Sequence, residues 1–285
     1  MGNSGNSGRE GRARRLFRRL MCGVRGLLQP VLARRLRRAI VRGDIRPWYQ
    51  PVVSGARGEV TGCEVLARWV RPDGRLRGPA GFIPLAERSG LIVPLTRVLM
   101  RRARRELAGL AAHLPPGFEV SVNLSAAHAG SGVFVRDCRM LQRALAPRGV
   151  RVCAEVTERQ ALAAVPGGRA LLVALRAAGV KVMLDDFATG CQGMQALDAL
   201  PVDGVKIDRR HVRALSRPPV VPTAELIIRL GRLMSLEVVA EGVETRAQHR
   251  WLLARGVTRQ QGYYFSRPVP ADGLLVCLIA GYLRG

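Results

Sequence analysis

Carboxylates are scarce in this chain, 21 Asp and Glu against 46 Lys and Arg, so where they fall is informative. Several stand at or beside the ends of short, valine-rich segments. These are Glu64, then Glu155 and Glu158, the adjacent pair Asp185-Asp186, Asp208 two residues after Lys206, and Glu241 with Glu244. Asn123 and Gln261 hold corresponding places in two further segments. A donor set made of oxygen atoms, without His or Cys, suits hard divalent cations such as Mg2+ or Mn2+. An Asp-Asp pair can share one carboxylate between two such ions. Two ions about 3.5–4 Å apart clamp the entering and leaving oxygens of a phosphoryl displacement. Taken singly these features are ordinary, since an Asp-Asp at a strand end is commonly a helix cap and a lysine near an aspartate commonly a salt bridge. A polar residue beside each of seven strands, in sequential order, is what carries the reading.

The elements that must position these groups alternate along the chain. The pattern predicts strands over Trp48–Val53, Thr61–Trp69, Glu119–Asn123, Val150–Val156, Val180–Leu184, Gly204–Ile207, Glu237–Ala240 and Gly262–Phe265. It predicts helices over Leu95–Ala111, Val133–Ala146, Arg169–Ala178, Gln195–Leu200, Ala224–Ser235, Arg246–Arg255 and Asp272–Tyr282. Eight strands with intervening helices over about 250 residues point to an α/β fold of the (β/α)8 barrel type, whose C-terminal strand ends meet at one mouth. A doubly wound open sheet is the alternative, and the lack of a Gly-rich loop after the first strand counts against it.

The formal net charge of +25 invites a nucleic-acid reading. Lysine occurs only at Lys181 and Lys206, so the charge is nearly all arginine, as a GC-rich genome would encode it. No helix-turn-helix, RNP motif or aromatic stacking run accompanies it, and no specific nucleic acid is expected. The six cysteines are scattered without a CxxC pair, which fits reduced thiols. No run of about 18 uncharged apolar residues is present, so no transmembrane helix is expected. Residues 1–30 form a separate basic extension, partly disordered or amphipathic, with Leu16, Phe17, Leu20, Val24, Leu27 and Leu28 set among arginines. It could lie on an anionic membrane surface, dock a protein partner, or merely cover the barrel. The expected location is cytoplasmic, with peripheral placement at the inner membrane open through this segment.

The segments Tyr49-Gln50-Pro51-Val52-Val53, Glu64-Val65-Leu66-Ala67-Arg68-Trp69, Val122-Asn123-Leu124-Ser125, Glu155-Val156-Thr157-Glu158, Leu184-Asp185-Asp186-Phe187, Val205-Lys206-Ile207-Asp208, Ala240-Glu241-Gly242-Val243-Glu244 and Gln261-Gly262-Tyr263-Tyr264-Phe265 follow one another in a specific order and spacing. Together they resemble the EAL family of cyclic di-GMP phosphodiesterases, over about residues 36 to 275. The resemblance implies a modified TIM barrel whose first strand is antiparallel, spanning residues 31–285 as a stand-alone EAL domain. It implies two Mg2+ or Mn2+ ions, with Glu64, Asn123, Glu155 and Asp185 on the first, Asp185 bridging, Asp186 on the second, and Glu241 as a further carboxylate of the metal site. Lys206 and Gln261 would handle the attacking water, and Glu158 would steady the loop after the fifth strand. Gln50, Pro51, Leu66, Arg68 and Asp208 would line the ligand pocket. The implied reaction is in-line attack of a metal-activated water on one phosphorus of cyclic di-GMP, yielding linear pGpG. Two stretches depart from the family pattern: Val65 stands where alanine is usual, and Ala188, Cys191, Gln192 and Gly193 alter the loop after Asp186. They motivate a second reading, a weak or inactive EAL domain that acts as a cyclic di-GMP receptor or protein-interaction regulator. A homodimer through the region of that loop is a further expectation.

Overall fold

The structure of the protein, a computed structural model, describes residues 29–55, 58–157, 162–187, 197, 199–215 and 222–280. Strands β1 (Ile45–Ser54) and β2 (Glu59–Val70) are joined by residues 55–58, in which Gly55 and Gly58 take positive φ. So short a link returns the chain antiparallel, with Ile45 paired to Trp69 and Ser54 to Glu59. The two-residue β3 (Leu76–Arg77) is appended to the end of β2. Longer crossovers then keep β4 (Glu119–Asn123), β5 (Arg151–Thr157), β6 (Lys181–Phe187), β7 (Gly204–Ile207), β8 (Glu237–Ala240) and β9 (Arg259–Gln260) parallel to β2. β1 also pairs antiparallel with β9, which closes the sheet. Among the described residues the wall is therefore an eight-stranded barrel with its first strand reversed, as the sequence led us to expect.

Helices cover the wall by burying one face. Ile92–Gly109 turns Ile92, Leu95, Leu99, Ala103 and Leu107 inward at helical spacing. It starts three residues earlier than predicted, because Pro94 is tolerated in a first turn. Tyr49 of β1, fully buried, donates a 2.8 Å hydrogen bond to Glu106 of this helix. A helix over residues 29–42 runs through the boundary expected at residue 30 and buries Leu36, Ala39 and Ile40. Half of the predicted helix Gln195–Leu200 lies outside the described residues.

The final strand departs from expectation. The ladder stops at Gln260, and Gly262–Phe265 is a turn. Val243 N donates to Gln261 O (3.1 Å) and Tyr264 N to Val243 O (2.9 Å), so the chain wraps around the segment that follows β8. Tyr49 finds its further backbone partner later, in Val269.

Alternate residues of each strand face the barrel axis and stack in layers. At the N-terminal end Lys181 pairs with Glu119 (3.1 Å) and Glu237, while Arg259 pairs with Glu119 (2.7 Å) and Glu237. Cys153, Met183 and Val239 form an apolar plug above this network. Cys63, Cys138 and Cys153 are buried free thiols, Cys277 is buried, and Cys22 and Cys191 lie outside the described residues. No described helix is long and apolar enough to cross a membrane.

Candidate active site

Strand register brings the polar residues to one rim. Glu64 sits opposite Gln50 on β1 and Ser121 on β4, and Asn123, two residues past Ser121, sits opposite Glu155. Glu155 faces Met183, whose partner on β7 is Gly204; Asp185 and Lys206 each lie two residues further on. Lys206 faces Val239, which faces Arg259; Glu241 and Gln261 again lie two residues beyond. Steps of zero or two preserve the face of a sheet. Glu64, Asn123, Glu155, Asp185, Lys206, Glu241 and Gln261 thus share the inner face at the C-terminal rim. Backbone bonds from Glu241 N to Ile207 O (3.0 Å) and Gln261 N to Ala240 O (2.8 Å) hold the last two in line with their strands.

Asp186 would point outward from a regular strand. It has φ +56°, and the β6–β7 register shifts between Leu184 and Phe187. Asp tolerates this left-handed conformation better than most residues. The reversal lets Asp185 and Asp186 line the same cavity, and Asp186 N donates to Asp185 Oδ1 (2.8 Å).

The centre of the rim is the Lys206 ammonium, fully enclosed. It pairs with Glu155 (2.9 Å) and Glu241, and lies 3.8 Å from Glu64 and 4.0 Å from Asp185. Glu64 also accepts from Asn123 Nδ2 (2.8 Å) and Gln261 Nε2 (2.9 Å), and the same Gln261 nitrogen donates to Gln50 Oε1 (3.0 Å). Burial would raise the Glu64 carboxyl, but Lys206 and these two amides outweigh it and hold it below its ordinary range. The neighbouring carboxyls go the other way. Burial, with repulsion from Glu64 and Asp185, overrides Lys206 and pushes Glu155 up to about 8. Burial and the same crowding raise Asp185 and Glu241. Burial opposes the charge on Lys206, yet the surrounding carboxylates raise it well above the usual lysine value.

One ammonium facing four carboxylates leaves the rim short of positive charge, and the buried atoms Glu155 Oε2 and Gln261 Oε1 have no hydrogen-bond partner. This oxygen-rich, electron-rich donor set fits divalent cations. Among the described residues no three carboxylate, thiol or imidazole groups are drawn tightly round one point, because Lys206 lies between them.

Above the rim opens a cavity of about 560 Å³. Gln50, Leu66 and Asp208 line it, as the sequence suggested. Pro51 is buried in the wall and Arg68 lies over the Trp48 ring at 5.8 Å, so neither lines it. Val65 also faces away from the mouth, into an apolar cavity beside Ile92, Leu95 and Leu99. Glu158 and the altered loop fall outside the described residues. Arg210 and Tyr263 line the cavity and were not singled out from the sequence. Arg210 Nε donates to Asp208 Oδ1 (2.8 Å), and against burial this keeps Asp208 below its ordinary range. The signal for Arg210 was its place two residues after Asp208.

Fold and rim together define a β/α-barrel protein with an acidic mouth suited to divalent cations and phosphate chemistry. Residues 33–268 match the EAL domain, and the chain belongs to that family. It is 44% identical over 246 residues to the probable cyclic di-GMP phosphodiesterase PdeG of Escherichia coli (strain K12), covering 86% of this chain and 48% of that protein. It is 37% identical over 235 residues to the cyclic di-GMP phosphodiesterase PdeL of the same strain, covering 82% of this chain and 65% of that protein. The chain thus spans about half the length of the first relative and less than two thirds of the second. The MucR phosphodiesterase of Pseudomonas aeruginosa, solved as its c-di-GMP complex, aligns at 33% identity and a TM-score of 0.71, over 84% of this chain and 97% of that one.

Proposed function

We propose that this chain is a metal-dependent phosphodiesterase that opens cyclic di-GMP to linear pGpG. The observation that supports it most is the surplus of buried carboxylates around Lys206, all on one inner face of the barrel. In this reading Glu64, Asn123, Glu155, Asp185, Asp186 and Glu241 would hold two Mg2+ or Mn2+ ions. Bound ions of this kind supply Lewis-acid polarisation and lower the pKa of water toward neutrality.

The chain's own groups do the rest. Lys206, kept charged by its carboxylate neighbours, stabilises negative charge that develops on the phosphoryl oxygens. Gln261 ties Glu64 to Gln50 and so keeps the ligand wall of β1 in register with the rim. Arg210, on the cavity wall, offers a guanidinium to a phosphate oxygen.

The test is to incubate purified protein with cyclic di-GMP and Mg2+ or Mn2+ and follow pGpG by chromatography. Turnover is expected with either ion and none in excess chelator. Asp185→Asn should lower turnover about a hundred- to a thousandfold, the scale on which a single charge-stabilising group acts. Tight binding of the dinucleotide without product would replace this reading with that of a receptor. The same reading includes a homodimer and a cytoplasmic protein whose basic N-terminal segment meets a protein partner or an anionic membrane. Sedimentation of the chain alone and with anionic vesicles tests those parts.

A further inference from the structure

A second polar cavity, of about 380 Å³, opens at the opposite end of the barrel from the catalytic rim. Its residues come from strand starts and from the turns that feed them. Arg151 begins β5, Glu237 begins β8 and Arg259 begins β9; Arg232 lies in the last turn of the helix Thr223–Leu233, and Arg255 lies in the turn after the helix Arg246–Leu253. Four arginines thus face one hollow of mononucleotide size.

Three of the four are held in place. Arg259 is fixed between Glu119 and Glu237. Arg255 is gripped by Glu225, and its guanidinium carbon lies 3.7 Å over the Trp251 ring. Arg232 donates to the Arg255 carbonyl. Lys181 shares Glu119 and Glu237, and Arg229 shares Glu225, so six cations meet three carboxylates and two of the six have no carboxylate partner. The unmatched pair is Arg151 and Arg232, both exposed, with no carboxylate within ion-pair distance among the described residues. Half-buried Leu236 and Val238 form an apolar wall beside them. Planar guanidinium forks match phosphate oxygens, and prior fixing lowers the entropy lost on binding.

We infer that this lower opening is a second binding site, for a phosphate monoester of mononucleotide size. Two guanidinium groups without a carboxylate partner match a dianionic phosphate, and the apolar wall accepts the ring that the phosphate carries. The site belongs to this chain's arginines and shares no residue with the catalytic rim.

Guanosine 5′-monophosphate, guanosine and inorganic phosphate serve as probes, titrated calorimetrically into the full chain at about 0.15 M salt, where exposed charges are screened beyond about 8 Å. Saturable uptake of the monophosphate is expected, with no uptake of guanosine and at least tenfold weaker uptake of inorganic phosphate. Arg151→Ala with Arg232→Ala should weaken the monophosphate at least about tenfold, since each removes a charge-assisted hydrogen bond. Arg139→Ala with Arg143→Ala removes the same net charge from an exposed helix elsewhere and should change it less than about twofold. Equal loss from both pairs would reduce the effect to the chain's overall basicity and overturn the site. No loss from Arg151→Ala with Arg232→Ala would place the ligand elsewhere and overturn it too. Inorganic phosphate binding as tightly as the monophosphate would overturn the mononucleotide assignment. Turnover of cyclic di-GMP by the Arg151/Arg232 double variant serves as the folding control and should match the parent.

Discussion

At the scale of single residues, Lys206 sets the charge balance of the rim. Its ammonium is the one cation of the described chain within ion-pair reach of Glu64, Glu155, Asp185 and Glu241. Taking one partner from a buried ion cluster typically costs about 3–5 kcal/mol, because the remaining charges are left uncompensated. Lys206→Met should therefore lower the stability of chelator-treated protein by an amount of that order in urea denaturation near neutral pH. Divalent cation at about a hundred times its dissociation constant should return about 2.7 kcal/mol, the mass-action value for a ligand that binds only the folded state. Unchanged stability in chelator would mean that the carboxylates are already neutral and that the charge argument fails. Most rim residues were legible in the sequence because their types are costly to bury and their strands were short and clear. Asp186 was legible as a residue but not as a geometry, since nothing in Asp-Asp announces a left-handed backbone. Arg210 was hidden among many arginines, and only its place two residues after Asp208 set it apart.

Elements decide how well those residues are aimed. The sequence pattern located the barrel strands up to β8, missed the two-residue β3, and misplaced β9 by reading the aromatic run Tyr263-Tyr264-Phe265 as strand. Local β propensity favoured that reading; the tertiary bonds to Val243 overrode it. The turn they form is tight. A Cβ on Gly262 would stand 2.1 Å from Val243 O and 2.2 Å from Val243 N, both backbone atoms that cannot swing aside. Gly262→Ala is expected to cost about 1–3 kcal/mol, as overpacking does. It should also lower turnover by roughly a hundredfold, the effect of about 1 Å of misplacement, through its neighbour Gln261. Thermal melts and initial rates check the two parts separately.

The short turn after β4 makes a different prediction at the same scale. Ser125 and His128 cap each other there, with His128 buried against Phe134 and its Nε2 without a partner. Burial holds the imidazole below its ordinary range, against the opposing pull of the Ser125 carbonyl and Asp137. The unfolded chain then takes up a proton before the folded one does. Stability from His128 is complete above its unfolded value of about 6.5 and is lost as pH falls below that toward the lower folded value. Urea midpoints between about pH 7 and pH 5 should fall less steeply in His128→Leu than in the parent. Identical slopes would show that the ring is already accessible to protons.

For the molecule as a whole, the barrel interior carries ionic groups at both ends, and the two ends are balanced differently. At the N-terminal end Glu119 and Glu237 meet Lys181 and Arg259, two charges of each sign, with an apolar plug of Cys153, Met183 and Val239 between them and the rim. Burial would raise Glu237, yet Arg259 and Lys181 prevail and hold it below the usual carboxylate range, as complete pairing requires. At the C-terminal end the carboxylates outnumber their cation, and burial and repulsion push up Glu155, Asp185 and Glu241, with Glu64 alone held low. The interior network at the N-terminal end is complete in itself, and the one at the rim is built to receive charge. Arg259→Met should thus destabilise the protein about as much as Lys206→Met, by about 3–5 kcal/mol, because each strips a buried network of a cation. The two variants should part company when divalent cation is added. Mg2+ should restore stability to the Lys206 variant and give the Arg259 variant no more than it gives the parent, since the lower network offers no vacant acceptor for it. Urea titrations of parent and both variants, with chelator and with Mg2+, read this directly. Equal rescue of both variants would mean that the cation acts by general screening over a chain of net charge +25, and that the two ends do not differ as described.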